Sequence, residues 1–407
     1  MRPVKYLWGT ALLAAVLLAG CAGAGIGRAA QAQADPSPAP TATPLPTATP
    51  EPQPETVEIR FSATGDNLIH NGIYEQAAAR TGGSGYDFLP CYEHVREFYE
   101  TFDVNWINQE TLVTDRLAPS TYPCFSTPGQ MGRDLYSLGF RVFSLSNNHS
   151  YDKGADGLAA TREYWRVMPA DAVTCGLYAG EEDYGNIPTQ TVNGVAIAYL
   201  AYTEHTNGIP TPQNAPANVI YTDETEVMRQ QIEQARGLAD FVVVGLHWGV
   251  EGSHEIADLQ RQLAQQLADW GADLIIGTHP HVVRGTEWFT AADGRRVFAA
   301  YSLGNFLNAQ STPDTMIGAV LGCVLRKTTM PDGEVVTELA DPVLYPVINH
   351  YDPHYAAIRL YWLEDYTEEL AQGHGVRREY PQFSLAYIQQ VLRDNINEDQ
   401  PVAWLER

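Results

Sequence analysis

Three histidines stand where metal ligands are expected. His247 follows the apolar run 241–244, and His279 and His281 follow a second apolar run at 274–276. Neutral imidazole binds zinc, iron, copper and nickel, and binds manganese where carboxylates are added. One histidine in such a loop is more often a satisfied core or surface residue. Three that converge predict half of a metal site.

Polar residues at the ends of three more apolar runs supply the other half. Asp66 ends the first run, Glu110 the second, and Asn148 and His149 the third. Two cations about 3.5 to 4 Å apart can bind an attacking water and neutralise charge on a phosphoryl group, and a carboxylate can bridge them. These donors therefore favour a two-metal hydrolytic site. His70, four residues after Asp66, is either a further ligand or faces solvent or a neighbouring loop.

The elements that position the three histidines form a predicted βαβ unit. Both apolar runs are short and rich in β-branched residues, as expected of strands buried on two faces. Between them, apolar residues fall three or four apart on one predicted helical face, namely Ile256, Leu259, Leu263, Leu267 and Trp270, and Gly271 ends the helix. A right-handed crossover makes the strands parallel, so the imidazoles emerge at the carboxyl edge of one sheet, where ligand sites form.

Strands and helices alternate along most of the chain, which predicts an α/β fold. The further predicted strands are 57–61, 104–107, 141–145, 195–201 and 297–301, the further helices are 92–102, 157–165, 226–235 and 385–393, and a hairpin surrounds Pro331-Asp332-Gly333.

Charge excludes one class of partner. The chain of 407 residues carries a formal net charge of −24, which argues against binding nucleic acid through a general electrostatic field. A polyanionic partner would need a local basic patch or bound cations.

The N-terminus is predicted to be a processing segment. Residues 1–21 have a basic start, an apolar run and the sequence Leu18-Ala19-Gly20-Cys21. This resembles a bacterial lipobox, in which Cys21 would be lipidated and hold the protein on the extracytoplasmic face of the cell membrane; the alternative is an ordinary cleaved signal. Residues 22–55 are rich in Pro, Thr and Ala, a composition that predicts a linker. The folded domain is predicted to span residues 56–400.

Four cysteines remain in the exported chain, Cys91, Cys124, Cys175 and Cys323, and none has the spacing of a structural zinc site. Four thiols allow three disulfide pairings, of which Cys91 with Cys124 is preferred because both precede the same predicted strand. The alternative is that all four are small buried apolar side chains.

The motifs resemble those of one family. They are GDNLIH at 65–70, NQE at 108–110, NNHSYDKG at 147–154, HWGVE at 247–251, GADLIIGTHPHV at 271–282 and YSLGNF at 301–306. In this order they are similar to the CapA family of poly-gamma-glutamate capsule biosynthesis proteins, within the calcineurin-like metallophosphoesterases. The resemblance implies two stacked mixed β-sheets flanked by helices in four layers, with metals at the strand ends.

The resemblance also implies roles for particular residues. Asp66 and His281 would hold one divalent metal, Glu110 would bridge, and Asn148, His247 and His279 would hold the second, the ions being Mn, Zn, Fe or Mg. His149 would be the general acid, for which an imidazole pKa near ~6.5 is suited. The wider superfamily has Asp-x-His in its first motif, whereas Leu68 stands there in this chain, and Glu110 replaces the usual bridging Asp.

Three further residues are secondary candidates. Asp152 is spaced to orient His149, or is a turn residue before Gly154. His205 follows a predicted strand and has a structural or substrate-side role rather than a metal-binding one. Asn305 lies at the last strand end, where it binds substrate or caps a turn.

Three functions fit these residues. The first is a lipid-anchored metallohydrolase that acts with the capsule synthesis machinery on an anionic surface polymer such as poly-gamma-glutamate. The second is a general cell-surface phosphomonoesterase or phosphodiesterase. The third is a binding or export factor whose cations bridge the acidic protein to a carboxylate polymer without turnover.

Overall fold

A computed structural model describes residues 53–405, with the exception of 212–214 and 216. The predicted signal segment 1–21, its Cys21 and nearly all of the predicted linker 22–55 lie outside the described residues. The first strand begins at Glu55, one residue before the predicted domain start.

The described chain contains fifteen strands and eight α-helices. The strands are β1 (Glu55–Asn67), β2 (Val104–Gln109), β3 (Val113–Thr114), β4 (Thr127–Pro128), β5 (Val142–Ser144), β6 (Val173–Cys175), β7 (Thr189–Val192), β8 (Val195–Thr203), β9 (Phe241–His247), β10 (Leu274–Thr278), β11 (Thr286–Thr290), β12 (Arg296–Ala300), β13 (Ile317–Thr329), β14 (Val335–Asp352) and β15 (Ala356–Trp362). The helices are α1 (Asn71–Arg80), α2 (Arg96–Tyr99), α3 (Gln130–Ser137), α4 (Gly154–Arg166), α5 (Thr225–Leu238), α6 (Asp258–Trp270), α7 (Glu368–Gly373) and α8 (Leu385–Asn395).

The strands form two mixed sheets and one short pair. The first sheet has the order β15-β14-β13-β1-β2-β5-β6, the second has the order β11-β12-β10-β9-β8-β7, and β3 pairs with β4. The run β1-β2-β5-β6 is parallel in the first sheet, and the run β12-β10-β9-β8 is parallel in the second. The prediction of an α/β fold with two mixed sheets flanked by helices is confirmed.

The predicted βαβ unit is β9-α6-β10, and its strands are parallel. Successive residues of these strands enter different cores. Val243 and Ile276 belong to the core that also contains Phe61 of the first sheet, whereas Val242 and Ile275 belong to the core that contains the buried residues of helices α5 and α6. Burial on both faces explains why these strands are continuous apolar runs.

Two details of the sequence prediction are wrong. Leu259, expected on the buried face of α6, is 75% exposed, because that face is formed by Gln260, Ala264, Leu267 and Ala268. The helix predicted at 92–102 is reduced to the four residues of α2, preceded by a 3₁₀ turn at Leu89–Tyr92.

The preferred disulfide is also absent, since Cys91, Cys124, Cys175 and Cys323 are all free thiols. Cys91 is buried while Cys124 is half-buried. The alternative reading, in which the cysteines are small core side chains, fits the three that are buried. Among the helices of the described residues, we find none with the length and apolar character needed to cross a bilayer.

The two sheets meet along the segment Leu303–Phe306. The amide of Asp66 donates to the Gly304 carbonyl at 2.9 Å, and the Phe306 amide donates to the Asp66 carbonyl at 2.8 Å. A Cβ on Gly65 would lie 1.8 Å from the Gly304 oxygen, so only glycine permits this approach. The carboxyl end of β1 is thereby fixed beside the loop that follows β12.

Candidate metal centre

Glu110 is the central side chain of the site. It is fully buried just after β2, and neither carboxylate oxygen has a hydrogen-bond partner among the described residues. Burial raises the pKa of Glu110 well above its ordinary value. A buried carboxylate without donors is costly unless a cation compensates it, so this residue fits a metal ligand.

Imidazole nitrogens from three segments of the chain lie around Glu110 Oε1. His247 Nε2 lies 3.6 Å from it, His281 Nε2 lies 3.7 Å from it, and His149 Nε2 lies 4.0 Å from it. Two groups of donor atoms follow, each with all its atoms within 4.8 Å of one another: Asp66, Glu110 and His281, and Glu110, His247 and His279. Glu110 belongs to both groups.

In the first group, Asp66 connects the two sheets. Its Oδ2 lies 3.2 Å from His281 Nδ1, and its Oδ1 accepts a hydrogen bond from Asn108 Nδ2 at 2.7 Å. Burial lowers the pKa of His281, but the carboxylates of Glu110 and Asp66 outweigh it and raise the pKa to about 9. The site thus has an electrostatic demand for positive charge, which a divalent cation would satisfy more fully than one imidazolium.

In the second group, the ring nitrogens face other acceptors. His247 Nε2 lies 3.1 Å from His279 Nδ1 and 2.9 Å from Asn148 Oδ1. Burial holds the pKa of His247 well below its ordinary value and lowers that of His279 to about 2, so both rings are neutral. Lone pairs gathered in this way are the arrangement that binds a metal ion.

The backbone at the end of β10 is strained. His279 has φ 96° and His281 has φ 61°, a region that residues other than glycine seldom adopt. The His279 amide donates to Asp66 Oδ2 at 3.1 Å, which helps to hold this conformation. Strain of this kind persists where the surrounding structure determines it, often at functional sites.

His149 lies at the rim of the same centre and is oriented by Asp152. Its Nδ1 lies 2.8 Å from Asp152 Oδ2, which also accepts from the Phe125 amide at 2.6 Å. Because Nδ1 is bound to the carboxylate, Nε2 faces Glu110. The contact expected between His149 and Asp152 is present, while the acid role stays a prediction.

The remaining candidates lie at different distances from the centre. His70 is in neither donor group, and its Nδ1 lies 3.1 Å from the Leu68 carbonyl. The ring of His205 is half-buried and lies 4.9 Å from that of His279. Asn305 is buried, and its Nδ2 donates to the Thr315 carbonyl at 3.0 Å, so its visible contact is with the fold itself.

Sequence reasoning missed three residues that support the ligands. Asn108 binds Asp66, Thr278 Oγ1 lies 3.0 Å from His247 Nδ1, and Asn207 Oδ1 accepts from Asn148 Nδ2 at 3.3 Å. Asn108 and Thr278 stand within the NQE and GTHPH motifs, where a polar residue next to or near a proposed ligand is the signal that indicates them. Asn207 had no comparable signal, because its loop approaches the site only through the fold.

The chain is similar in sequence to known capsule biosynthesis proteins. The profile of the family described as bacterial capsule synthesis protein PGA_cap matches residues 60–310. A PGA biosynthesis protein CapA of Bacillus subtilis (strain 168) is 36% identical over 194 residues, covering 47% of this chain and 49% of that protein. The capsule biosynthesis protein CapA of Bacillus anthracis is 34% identical over 193 residues, covering 46% of this chain and 45% of that protein.

The matched region therefore spans about half the length of these two relatives. Among solved structures, a protein provisionally assigned as a 5'-nucleotidase of Staphylococcus aureus, in complex with alpha-ketoglutarate, gives a TM-score of 0.40 at 15% identity. That match covers 70% of this chain and 54% of the other.

Proposed function

The chain belongs to the bacterial capsule synthesis protein PGA_cap family, and from that premise we propose that it is a metal-dependent hydrolase acting on poly-gamma-glutamate or a related anionic capsule polymer. We further propose that two divalent ions share Glu110, and that the protein is exported and anchored by lipid at Cys21. The relatives named for poly-gamma-glutamate or capsule biosynthesis support the polymer class.

One observation carries the proposal of a two-metal site. Glu110 is a buried carboxylate with two unpartnered oxygens, and it is shared by two groups of donors. Asp66 and His281 would hold one ion on one side of it, and His247, His279 and Asn148 would hold the other. Manganese, zinc, iron and magnesium all accept some of these ligands, and the mixture of imidazole and carboxylate favours the first three.

The chemistry is divided between the ions and the protein. Bound divalent ions supply activation of water and compensation of negative charge. The protein orients the donors through Asn108 and Thr278, and excludes bulk water by burying Asp66, Glu110 and the three histidines. His149 would transfer a proton from Nε2 to the leaving atom as its bond to the polymer breaks, while Asp152 stabilises the protonated Nδ1.

The test begins with elemental analysis of the purified domain from residue 53 onward. Turnover of bis(p-nitrophenyl) phosphate and of poly-gamma-glutamate is then measured with and without chelator. We expect bound divalent metal and chelator-sensitive cleavage of at least one substrate class. Metal without turnover of any substrate would favour the binding or export factor, whereas turnover of phosphoesters alone would favour the general phosphoesterase.

The anchor is tested separately in the full-length chain. Cys21→Ser should leave the protein uncleaved or released, because both lipid attachment and the linked cleavage need the thiol. Membrane fractionation and the mature N-terminus are the measurements. Unchanged membrane association with an N-terminus elsewhere would contradict the anchor and leave the hydrolase proposal untouched.

A further inference from the structure

A groove runs along the loop between β14 and β15. It consists of three adjoining cavities of about 630, 60 and 540 Å³. His354 lines all three cavities, Tyr355 lines the first two, and Arg378 lines the last two. These shared residues make the three cavities neighbours along one wall, and together we call them the β14–β15 groove.

The inner end of the groove approaches His149. His70 lines the first cavity. Its ring meets Phe125 edge to face at 5.3 Å, and Phe125 meets the His149 ring in the same way at 4.7 Å. The buried ring of Phe125 therefore separates the first cavity from the proposed acid, and the inner end of the groove lies one side chain from His149.

The outer end of the groove is basic in a strongly acidic protein. Arg377 and Arg378 line the third cavity with His354. Arg377 donates to the Phe383 carbonyl, whereas exposed Arg378 has no hydrogen bond or ion pair within the described part of the chain. The whole chain has 25 basic against 49 acidic residues, so a guanidinium without a carboxylate partner gives this end of the groove a local positive charge.

The remaining lining is mixed in charge. Glu75 lies in the first cavity and Glu379 in the second. An anion would therefore be recognised at the arginine end, while the middle of the groove would contact uncharged parts of a ligand. Tyr122, 72% exposed, and Tyr355, 39% exposed, offer aromatic surface for such parts.

The wall of the groove is held in a fixed shape. His354, Tyr355 and Ala357 have φ values of 64°, 58° and 47°. Gln76 on α1 pins this strained turn, since its Nε2 donates to the Tyr355 carbonyl at 2.7 Å and its Oε1 accepts from the Ile358 amide at 3.2 Å. A preorganised wall lowers the ordering cost of binding an extended chain.

We propose that the β14–β15 groove binds an extended polycarboxylate, with a carboxylate on Arg378, the chain along Tyr355 and Tyr122, and its inner end at His70, one side chain from His149. This inference rests on the proposed function, and it adds the binding path and the residue that recognises charge. Guanidinium suits this task because it remains charged and offers paired donors to a carboxylate.

The test compares two charge reversals, Arg378→Glu in the groove and Arg166→Glu at the end of α4. Arg166 is also exposed and has no ion pair among the described residues, so it matches Arg378 except in position. Binding of a fluorescent poly-gamma-glutamate oligomer to metal-loaded protein is measured by anisotropy. Because an exposed ion pair contributes up to about 1 kcal/mol, a factor of about five in Kd, Arg378→Glu should raise Kd by about two- to fivefold and Arg166→Glu should leave it unchanged.

Two further measurements separate the groove from the catalytic centre. Arg378→Glu should weaken binding of poly-gamma-glutamate more than it slows turnover of bis(p-nitrophenyl) phosphate, since that small substrate does not span the groove. Arg378→Gln should give a smaller rise in Kd, which guards against a misfolded variant.

Several outcomes would contradict the proposal that the groove binds a polycarboxylate. They are no binding of poly-gamma-glutamate by the wild type, equal weakening by both reversals, no weakening by Arg378→Glu, or tighter binding of poly(glycerol phosphate) than of the polycarboxylate. Selective weakening in a protein that hydrolyses nothing would support the groove and defeat only the hydrolase.

Discussion

Two buried histidine clusters of this protein differ in how their nitrogens are satisfied. In the C-terminal cluster, His350 Nδ1 lies 2.8 Å from the Tyr366 hydroxyl and Nε2 lies 3.1 Å from Asp352 Oδ1. His374 Nε2 lies 3.0 Å from the Asn349 carbonyl, and Nδ1 accepts from the Val376 amide at 2.9 Å. Every ring nitrogen of this pair therefore has a protein partner.

The cluster around Glu110 is equally buried but incomplete. His247 Nε2 faces two oxygen acceptors, Asn148 Oδ1 and Glu110 Oε1, and His279 Nδ1, which donates in only one of the two neutral tautomers of that ring. Glu110 itself has no partner among the described residues. Histidine content and burial alone do not distinguish a ligand site from a structural one. The unsatisfied acceptors do, because a cation is what completes them.

The largest expected effect is therefore on metal content. Glu110→Ala should lower metal affinity by at least ~100-fold, since loss even of supporting groups costs 10- to 100-fold and Glu110 touches both donor groups. His350→Gln, in the satisfied cluster, should leave metal content at the wild-type level. Elemental analysis after dialysis is the measurement. Full metal content in Glu110→Ala, or equal losses of metal in both variants, would contradict the proposal that the Glu110 cluster binds metal and the C-terminal cluster does not.

His149 gives the next largest effect, on turnover rather than on metal. His149→Ala should retain metal but slow hydrolysis of an alkyl phosphodiester by ~100- to 10,000-fold, the usual contribution of a general acid. A nitrophenolate leaving group needs little protonation, so the same variant should lose much less on that substrate. Rates on both substrates at several pH values test this, and equal losses on both would remove His149 from the acid role.

The sequence predicted the long parallel strands and their terminal residues because burial on two faces leaves a continuous apolar run, as at 241–244 and 274–276. Motif order then placed Asp66, Glu110 and the three histidines at one edge, where the structure brings them together. Prediction from the sequence failed where contacts made by the fold decide which side chains are buried and paired. Leu259 fits a helical stripe yet faces solvent, and His350 meets the Tyr366 hydroxyl only through the fold.

The satisfied cluster should respond to acid instead of metal. Burial lowers the pKa of His350 to about 4, although Asp352 opposes the shift, and burial lowers that of His374 to about 3. The unfolded chain takes up these protons near pH ~6.5, so each histidine's contribution is complete above that pH and is lost as pH falls towards the folded value. For His350 this loss is on the order of 3 kcal/mol.

Urea unfolding at pH 7, 5.5 and 4.5 compares the wild type with His350→Gln. The free energy of unfolding should fall with decreasing pH in both, and less steeply in the variant by about 1 kcal/mol per pH unit. Taking the difference between the two proteins removes the contribution of the metal-centre histidines. Parallel pH profiles would mean that His350 is not held neutral by the fold.

The smallest expected effect concerns Thr278, whose hydroxyl contacts Nδ1 of His247 and thereby leaves Nε2 of the same ring available to a metal ion. Thr278 Oγ1 lies 3.3 Å from the Leu246 carbonyl, to which it can donate, and 3.0 Å from His247 Nδ1, from which it then accepts. This arrangement keeps the proton on Nδ1 and leaves the Nε2 lone pair directed at the centre.

Thr278→Val should lower metal affinity by ~10- to 100-fold with the fold intact, because valine fills the space without accepting the hydrogen bond from His247 Nδ1. Thr278→Ser keeps the hydroxyl and should remain near wild type. Competition with a metal-sensitive chelator measures both variants, and a serine variant as weak as the valine variant would assign the effect to packing of the threonine methyl group rather than to the orientation of His247.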